Sequence, residues 1–129
     1  IALKIKGGRL EQELKGHLQD LLNPYNQSNV TKKYILSVTL NKKIEAVGIQ
    51  PDRDATRYNV VIIANYKLRH IENNKIIDDA SMKIIGSYDA VDSEYSTFIA
   101  DRNTSNRIMQ ELANDIKSRI ITNVKFNEL

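Results

Sequence analysis

Tyr58-Asn59-Val60-Val61-Ile62-Ile63-Ala64-Asn65-Tyr66-Lys67-Leu68 is the stretch that decides the fold. Side chains alternate across a strand, so Tyr58, Val60, Ile62, Ala64, Tyr66 and Leu68 share one apolar face. Asn59, Val61, Ile63, Asn65 and Lys67 occupy the other face, half apolar and half wet. A sheet built this way packs helices on its first face and leaves the second for another contact. The segment ends in a tight turn at Glu72-Asn73-Asn74. A second alternating segment, from about Lys75 to Tyr88, returns from that turn. It passes through Ser87-Tyr88-Asp89 into one long amphipathic helix.

In that helix Tyr95, Phe98, Ile99, Met109, Leu112, Ala113, Ile116 and Ile120 recur at spacings of three and four, which places them on one buried stripe. Asp92 or Ser93 can cap its start by accepting hydrogen bonds from the first free N–H groups. The helix is expected to end near Thr122 and to run continuously through Asp101 to Asn106, where Asn, Thr and Ser lower helix propensity and leave room for a distortion.

Upstream, residues 2–6 read as a short strand ended by Gly7-Gly8. From Arg9 to Leu22, Leu10, Leu14, Leu18, Leu21 and Leu22 keep helical spacing, and Asn23-Pro24 stops the helix. Tyr25 to Thr31 reads as a polar loop. Residues 33–49 form a strand in which Tyr34, Leu36, Val38 and Leu40 alternate. Asn41-Lys42-Lys43 interrupts that pattern and predicts a bulge or bend before Ile44, Ala46 and Gly48 resume it. Gln50-Pro51-Asp52-Arg53-Asp54 is a turn by composition. The expected class is α+β, in the order βαβββα: a four-stranded mixed sheet with two helices packed on one face. Residues 1–129 are read as a single domain.

A chain of 129 residues suits one modest core, and 41% hydrophobic with 27% charged residues is ordinary for a globular fold. Nothing approaches the roughly 18 consecutive apolar residues of a membrane-spanning helix. The chain has no cysteine, which excludes disulfides, thiolate metal sites and a Cys nucleophile. Its net charge of +3 is too small to mark a dedicated nucleic-acid binder, unless the charges are segregated in space.

The search for catalytic sets turns up little. His17 lies beside the apolar stripe of the first helix, and His70 precedes the hairpin turn, where exposure is expected. Two isolated histidines without ligand-spaced partners make no metal site, and neither a metal nor a cofactor is expected. Asp78 and Asp79 fall on opposite faces of a strand. Asp89, Asp92 and Glu94 surround a helix start, where carboxylates stabilise the positive end of the helix, so capping is preferred over acid–base chemistry. No phosphate-binding glycine loop or nucleophile elbow is present. The chain reads as a non-enzyme.

The basic residues carry more information. Lys42 and Lys43, then Arg53 and Arg57, gather around the far end of the hairpin between the second and third strands, while Lys67 and Arg69 lie near its other end. Arginine forks match phosphate oxygens and lysine adds a compact charge, so this cluster suits a phosphorylated ligand. The plain alternative is a hairpin tip blunted by charge against edge pairing.

With these residues in order, the chain resembles the LptE family of lipopolysaccharide-assembly lipoproteins, in its alphaproteobacterial form. The resemblance runs through Arg9-Leu10…Leu14…Leu18…Leu21 and Ala55-Thr56-Arg57-Tyr58. It is densest at Ser87-Tyr88-Asp89, Asp92-Ser93-Glu94-Tyr95, Ile99-Ala100 and Glu111-Leu112-Ala113-Asn114-Asp115-Ile116. It implies a non-enzymatic plug inside the LptD-type outer-membrane β-barrel that binds lipopolysaccharide through its lipid A phosphates. It implies attachment to the periplasmic side of the outer membrane by a lipidated N-terminal Cys, expected with its leader ahead of Ile1. The family's basic ligand-binding position falls near Pro51-Asp52, so Arg53, Arg57, Lys42 and Lys43 are the expected phosphate contacts.

The rival class is a basic α/β nucleic-acid-binding module, suggested by a pI near 9.1. Such a module stacks bases on exposed sheet aromatics. Tyr34, Tyr58 and Tyr66 alternate with Val, Ile and Leu, which argues for their burial and against a nucleic-acid partner.

Overall fold

The computed structural model describes residues 1–22, 33–48, 57–89 and 93–127. Arg53 and the turn around it, the Asn23-Pro24 helix stop, the loop that follows it and Asp92 lie outside the described residues. The elements run β1 (Ala2–Lys4), α1 (Arg9–Leu22), β2 (Tyr34–Val47), β3 (Arg57–His70), β4 (Ile76–Asp89) and α2 (Glu94–Asn127). The sheet order is β1-β2-β3-β4, with β1 parallel to β2 and the other pairs antiparallel. This is the expected βαβββα mixed sheet.

Alternation decides which way the sheet faces. Val60, Ile62, Ala64, Tyr66 and Leu68 of β3 are buried beside Leu36 and Val38 of β2. Leu14 and Leu18 of α1 join that core, as do Ile108, Met109, Leu112, Ala113, Ile116 and Ile120 of α2. Each such side chain contributes roughly 1.5–3 kcal/mol relative to exposure, so this layer dominates stability. Both helices lie on this side of the sheet.

The turns follow local chemistry. The amide of His70 donates to the Lys75 carbonyl at 2.9 Å, and Lys75 N–H donates to Asn73 Oδ1 at 3.0 Å. Asn74 takes a left-handed φ of 56°, a conformation asparagine tolerates better than most residues. Ser93 caps α2: its Oγ accepts from Ser96 N–H at 3.0 Å, and its carbonyl accepts from Thr97 N–H at 3.0 Å. Gly7 has φ +151°, a backbone conformation that strains residues with a Cβ, so the β1–α1 corner favours glycine.

Several expectations need correction. β1 stops at Lys4 rather than residue 6. The register between β2 and β3 is unbroken from Tyr34↔His70 to Val47↔Arg57, so Asn41-Lys42-Lys43 contains no bulge. Lys42 stays on the helix side because an acid awaits it there. The one irregularity between β3 and β4 is at Leu68/Arg69. Helix α2 is continuous through residues 101–106 as expected, but it runs to Asn127, past Thr122. His70 is half-buried, packed edge-on against Tyr34 at 5.3 Å across the strand pair. Tyr95 and Phe98 are not core residues: they are 73% and 57% exposed.

Candidate functional site

The sheet has one face that neither helix covers. From the strand register it carries Ile35, Ser37, Thr39, Asn41, Lys43, Glu45 and Val47 on β2, and Arg57, Asn59, Val61, Ile63, Asn65, Lys67 and Arg69 on β3. Opposite them on β4 stand Asp79, Ser81, Lys83, Ile85, Ser87 and Asp89, and β1 adds Lys4. Six cations (Lys4, Lys43, Arg57, Lys67, Arg69 and Lys83) therefore share this face with three carboxylates (Glu45, Asp79 and Asp89). Among the described residues this face therefore carries a net charge of +3.

The residues expected to hold phosphate divide between the two sides. Lys42 points to the helix side, where its Nζ is 2.7 Å from Asp101 Oδ1. Lys43 and Arg57 lie on the open face, four residues apart along the sheet, or about 13 Å. Each has a loose surface partner: Lys43 with Glu45 at 3.2 Å, and Arg57 with Asp89 at 3.4 Å. Exposed pairs of this kind contribute roughly 0–1 kcal/mol, so both cations remain available to an incoming anion. Arg53, the fourth, lies outside the described residues.

Two polar clamps hold α2 to the sheet and so keep the other face free. Near the start of α2, Asp101 takes Lys42 and also accepts from Tyr88 Oη at 3.2 Å, while Tyr88 stacks on Tyr58 at 5.5 Å. Toward its end, Asp78 accepts from the buried Tyr66 hydroxyl and from Asn123 Nδ2 at 2.6 Å. The Arg119 guanidinium lies 5.7 Å from the Tyr66 ring centroid. Sequence reading missed both clamps. Asp101 and Lys42 are 59 residues apart, and only the folded register joins them.

The clamps perturb both tyrosines. Burial first, then the Asp101 carboxylate, pushes Tyr88 up to about 12; burial first, then Asp78, raises Tyr66 as well. A phenol with a raised folded pKa keeps its proton after the unfolded chain has lost one. The unfolded state then binds fewer protons, and stability falls as pH rises. The contribution is intact below about pH 10 and declines above it. Urea titrations from pH 8 to 11.5 should show this decline, and Tyr66→Phe and Tyr88→Phe should each flatten it. A decline equally steep in both variants would contradict the assignment.

Tyr34, Tyr58, Tyr66 and Tyr88 all fall on the helix side, so the open face offers none of them for base stacking. Among the described residues no group of His, Cys, Asp and Glu is arranged to hold a metal ion, and no helix is long and apolar enough to cross a membrane.

This architecture has relatives. The profile of the LptE family, described as lipopolysaccharide-assembly, matches residues 2–122. The chain belongs to the LptE family. LptE proteins are non-enzymatic lipopolysaccharide-assembly lipoproteins, and the present LptE chain shares that broad role. A comparison with curated proteins returned no match.

Solved structures share its fold. A Caulobacter crescentus protein proposed to be a lipoprotein is 21% identical, with a TM-score of 0.76 over 97% of this chain and 90% of that one. A minor lipoprotein of Acinetobacter baumannii is 16% identical, with a TM-score of 0.75 over 95% and 90% of the two chains. Rare lipoprotein B of Shewanella oneidensis is 12% identical, with a TM-score of 0.72 over 98% and 97%. At these identities the likeness concerns the fold.

Proposed function

We propose that this LptE-family chain is a plug and lipopolysaccharide-binding partner of an LptD-type outer-membrane β-barrel, held at the periplasmic side of the outer membrane by an N-terminal lipid anchor. The observation that supports this reading best is the separation of the molecule into a clamped helix layer and an uncovered, basic sheet face. A wide barrel lumen is polar, so an insert needs a rigid body with polar and charged outer surfaces. Both helices bury their apolar stripes inward, Tyr95 and Phe98 at the start of α2 excepted, and the open face presents Asn59, Asn65, Lys67 and Lys83.

In this reading Arg53, Arg57 and Lys43 meet the lipid A phosphates, and Lys42 supports the hairpin from behind through Asp101. Arginine supplies paired donors to phosphate, and two lost charge-assisted contacts amount to tenfold or more in affinity. Replacing Arg53 and Arg57 together with Glu should weaken lipopolysaccharide binding by roughly tenfold or more. The thermal midpoint should stay nearly unchanged, because Arg57 is exposed and its ion pair is a surface one. Unchanged affinity in the double variant would remove the hairpin from the account.

A further inference from the structure

We infer that the centre of the open sheet face is a seat for a phosphorylated glycolipid, with Ile63 and Ile85 receiving acyl chain beside the buried Val61, and Lys43 and Lys83 gripping phosphate. The inference rests on the lipopolysaccharide reading and adds to it a place and a division of labour. The register fixes the arrangement. Lys43, Val61 and Ile85 form one rung across three strands, and Asn41, Ile63 and Lys83 form the next. The apolar trio is thus contiguous, with one lysine at each opposite corner, about 12 Å apart from strand and residue spacings.

Ile85 is 54% exposed and Ile63 36%, while Val61 between them is only 6% exposed although no helix covers it. Val61 is thus already closed off from solvent, and Ile63 and Ile85 supply the exposed apolar surface. The adjoining rung is Thr39, Asn65 and Ser81, all exposed and without a side-chain hydrogen bond recorded among the described residues. A hydroxyl–amide–hydroxyl row beside that apolar surface and two lysines suits sugar, acyl chain and phosphate in one ligand.

Other occupants fit less well. A nucleic acid would need stacking aromatics, and the sheet tyrosines are on the far side. Inorganic phosphate would have no use for the apolar trio. A second copy placed face to face would set two surfaces of net charge +3 against each other, which like-charge repulsion opposes.

The test measures binding of lipid A in detergent micelles, with phosphatidylglycerol in the same micelles and inorganic phosphate as comparison probes. The variants are Lys83→Glu/Ile85→Glu and, as a charge-matched control on the exposed side of α2, Arg107→Glu. Lys83→Glu/Ile85→Glu should weaken lipid A binding by roughly tenfold or more at an unchanged thermal midpoint. Arg107→Glu should leave it intact, and neither phosphatidylglycerol nor phosphate should match lipid A. Parental affinity in the double variant would overturn the proposal, as would equal weakening by Arg107→Glu. Equal affinity for phosphatidylglycerol would overturn the glycolipid assignment, and a dimer that the double variant dissociates would make the face a self-interface. Barrel co-purification separates the two ideas. Lipid A binding that depends on Lys83 and Ile85 without a barrel upholds the seat and sinks the plug. A barrel that co-purifies with a double variant of normal affinity sinks the seat alone.

Discussion

Gly86→Ala is expected to destabilise the protein by about 1–3 kcal/mol, although the same change in an open strand stabilises by about 0.4–1 kcal/mol. Gly86 faces α2 from near the C-terminal end of β4, and a Cβ there would lie 2.6 Å from Thr104 Cγ2 and 3.1 Å from Ile108 Cδ1. Its backbone does not require glycine, since the positive-φ glycines among the described residues are Gly7 and Gly48. The requirement is for space. The helix approaches the strand at this point, and Thr104 is 3% exposed with its hydroxyl bonded to the Ala100 carbonyl at 2.9 Å. Thr104→Ser removes the clashing methyl and keeps that hydroxyl. Gly86→Ala should therefore be milder in the Thr104→Ser background, with a coupling energy of about 0.5–3 kcal/mol in a double-mutant cycle followed by urea unfolding. Additive effects would mean that helix and strand do not meet as described.

Asp78→Ala should be at least as damaging, at about 2–3 kcal/mol. Asp78 accepts hydrogen bonds from Tyr66 and Asn123, and Arg119 Nε lies 3.9 Å away. Tyr66 is 1% exposed, so removing the carboxylate strands a buried hydroxyl with no water to turn to. Arg119 is half exposed and can return to solvent, which limits the loss. Asp78→Asn keeps an acceptor for the phenol and should retain most of the stability. It should also move the Tyr66 titration back toward the usual tyrosine range, because a charge that opposed the phenolate is gone. A destabilised Asp78→Asn as severe as Asp78→Ala would show that charge, rather than the acceptor, holds this corner.

Much of the fold was legible because period-two and period-3.6 patterns report which way side chains point. The β3 face from Val60 to Leu68 and the bounds of α1 came directly from spacing. Tyr95 and Phe98 show where that logic stops. Their helical spacing is right, but spacing does not say how far the supporting sheet extends. Thr104 packs over Gly86, and Tyr95 lies nine residues earlier, about 13.5 Å along the helix. β4 has only three residues beyond Gly86, about 10 Å, so Tyr95 overhangs its end. Lys42 taught the opposite lesson: a charge on an apolar face looked like a bulge, and a partner 59 residues away made the bulge unnecessary.

The site was legible in kind but not in layout. Lys42 and Lys43 look like one cluster in the sequence, yet neighbouring strand residues face opposite ways, and only Lys43 joins Arg57 on the open face. The charge segregation left open by a net +3 became visible once the register placed Lys4, Lys67, Arg69 and Lys83 on that same side. Composition alone does not carry that information, because parity matters only when strand pairing is known.

The most direct measurement is a pull-down of the C-terminally tagged protein from detergent-solubilised outer membranes of its native host. A large β-barrel protein recovered in one-to-one stoichiometry is the predicted result. Recovery from that fraction with no barrel partner, or from a soluble fraction bound to nucleic acid, would contradict the account.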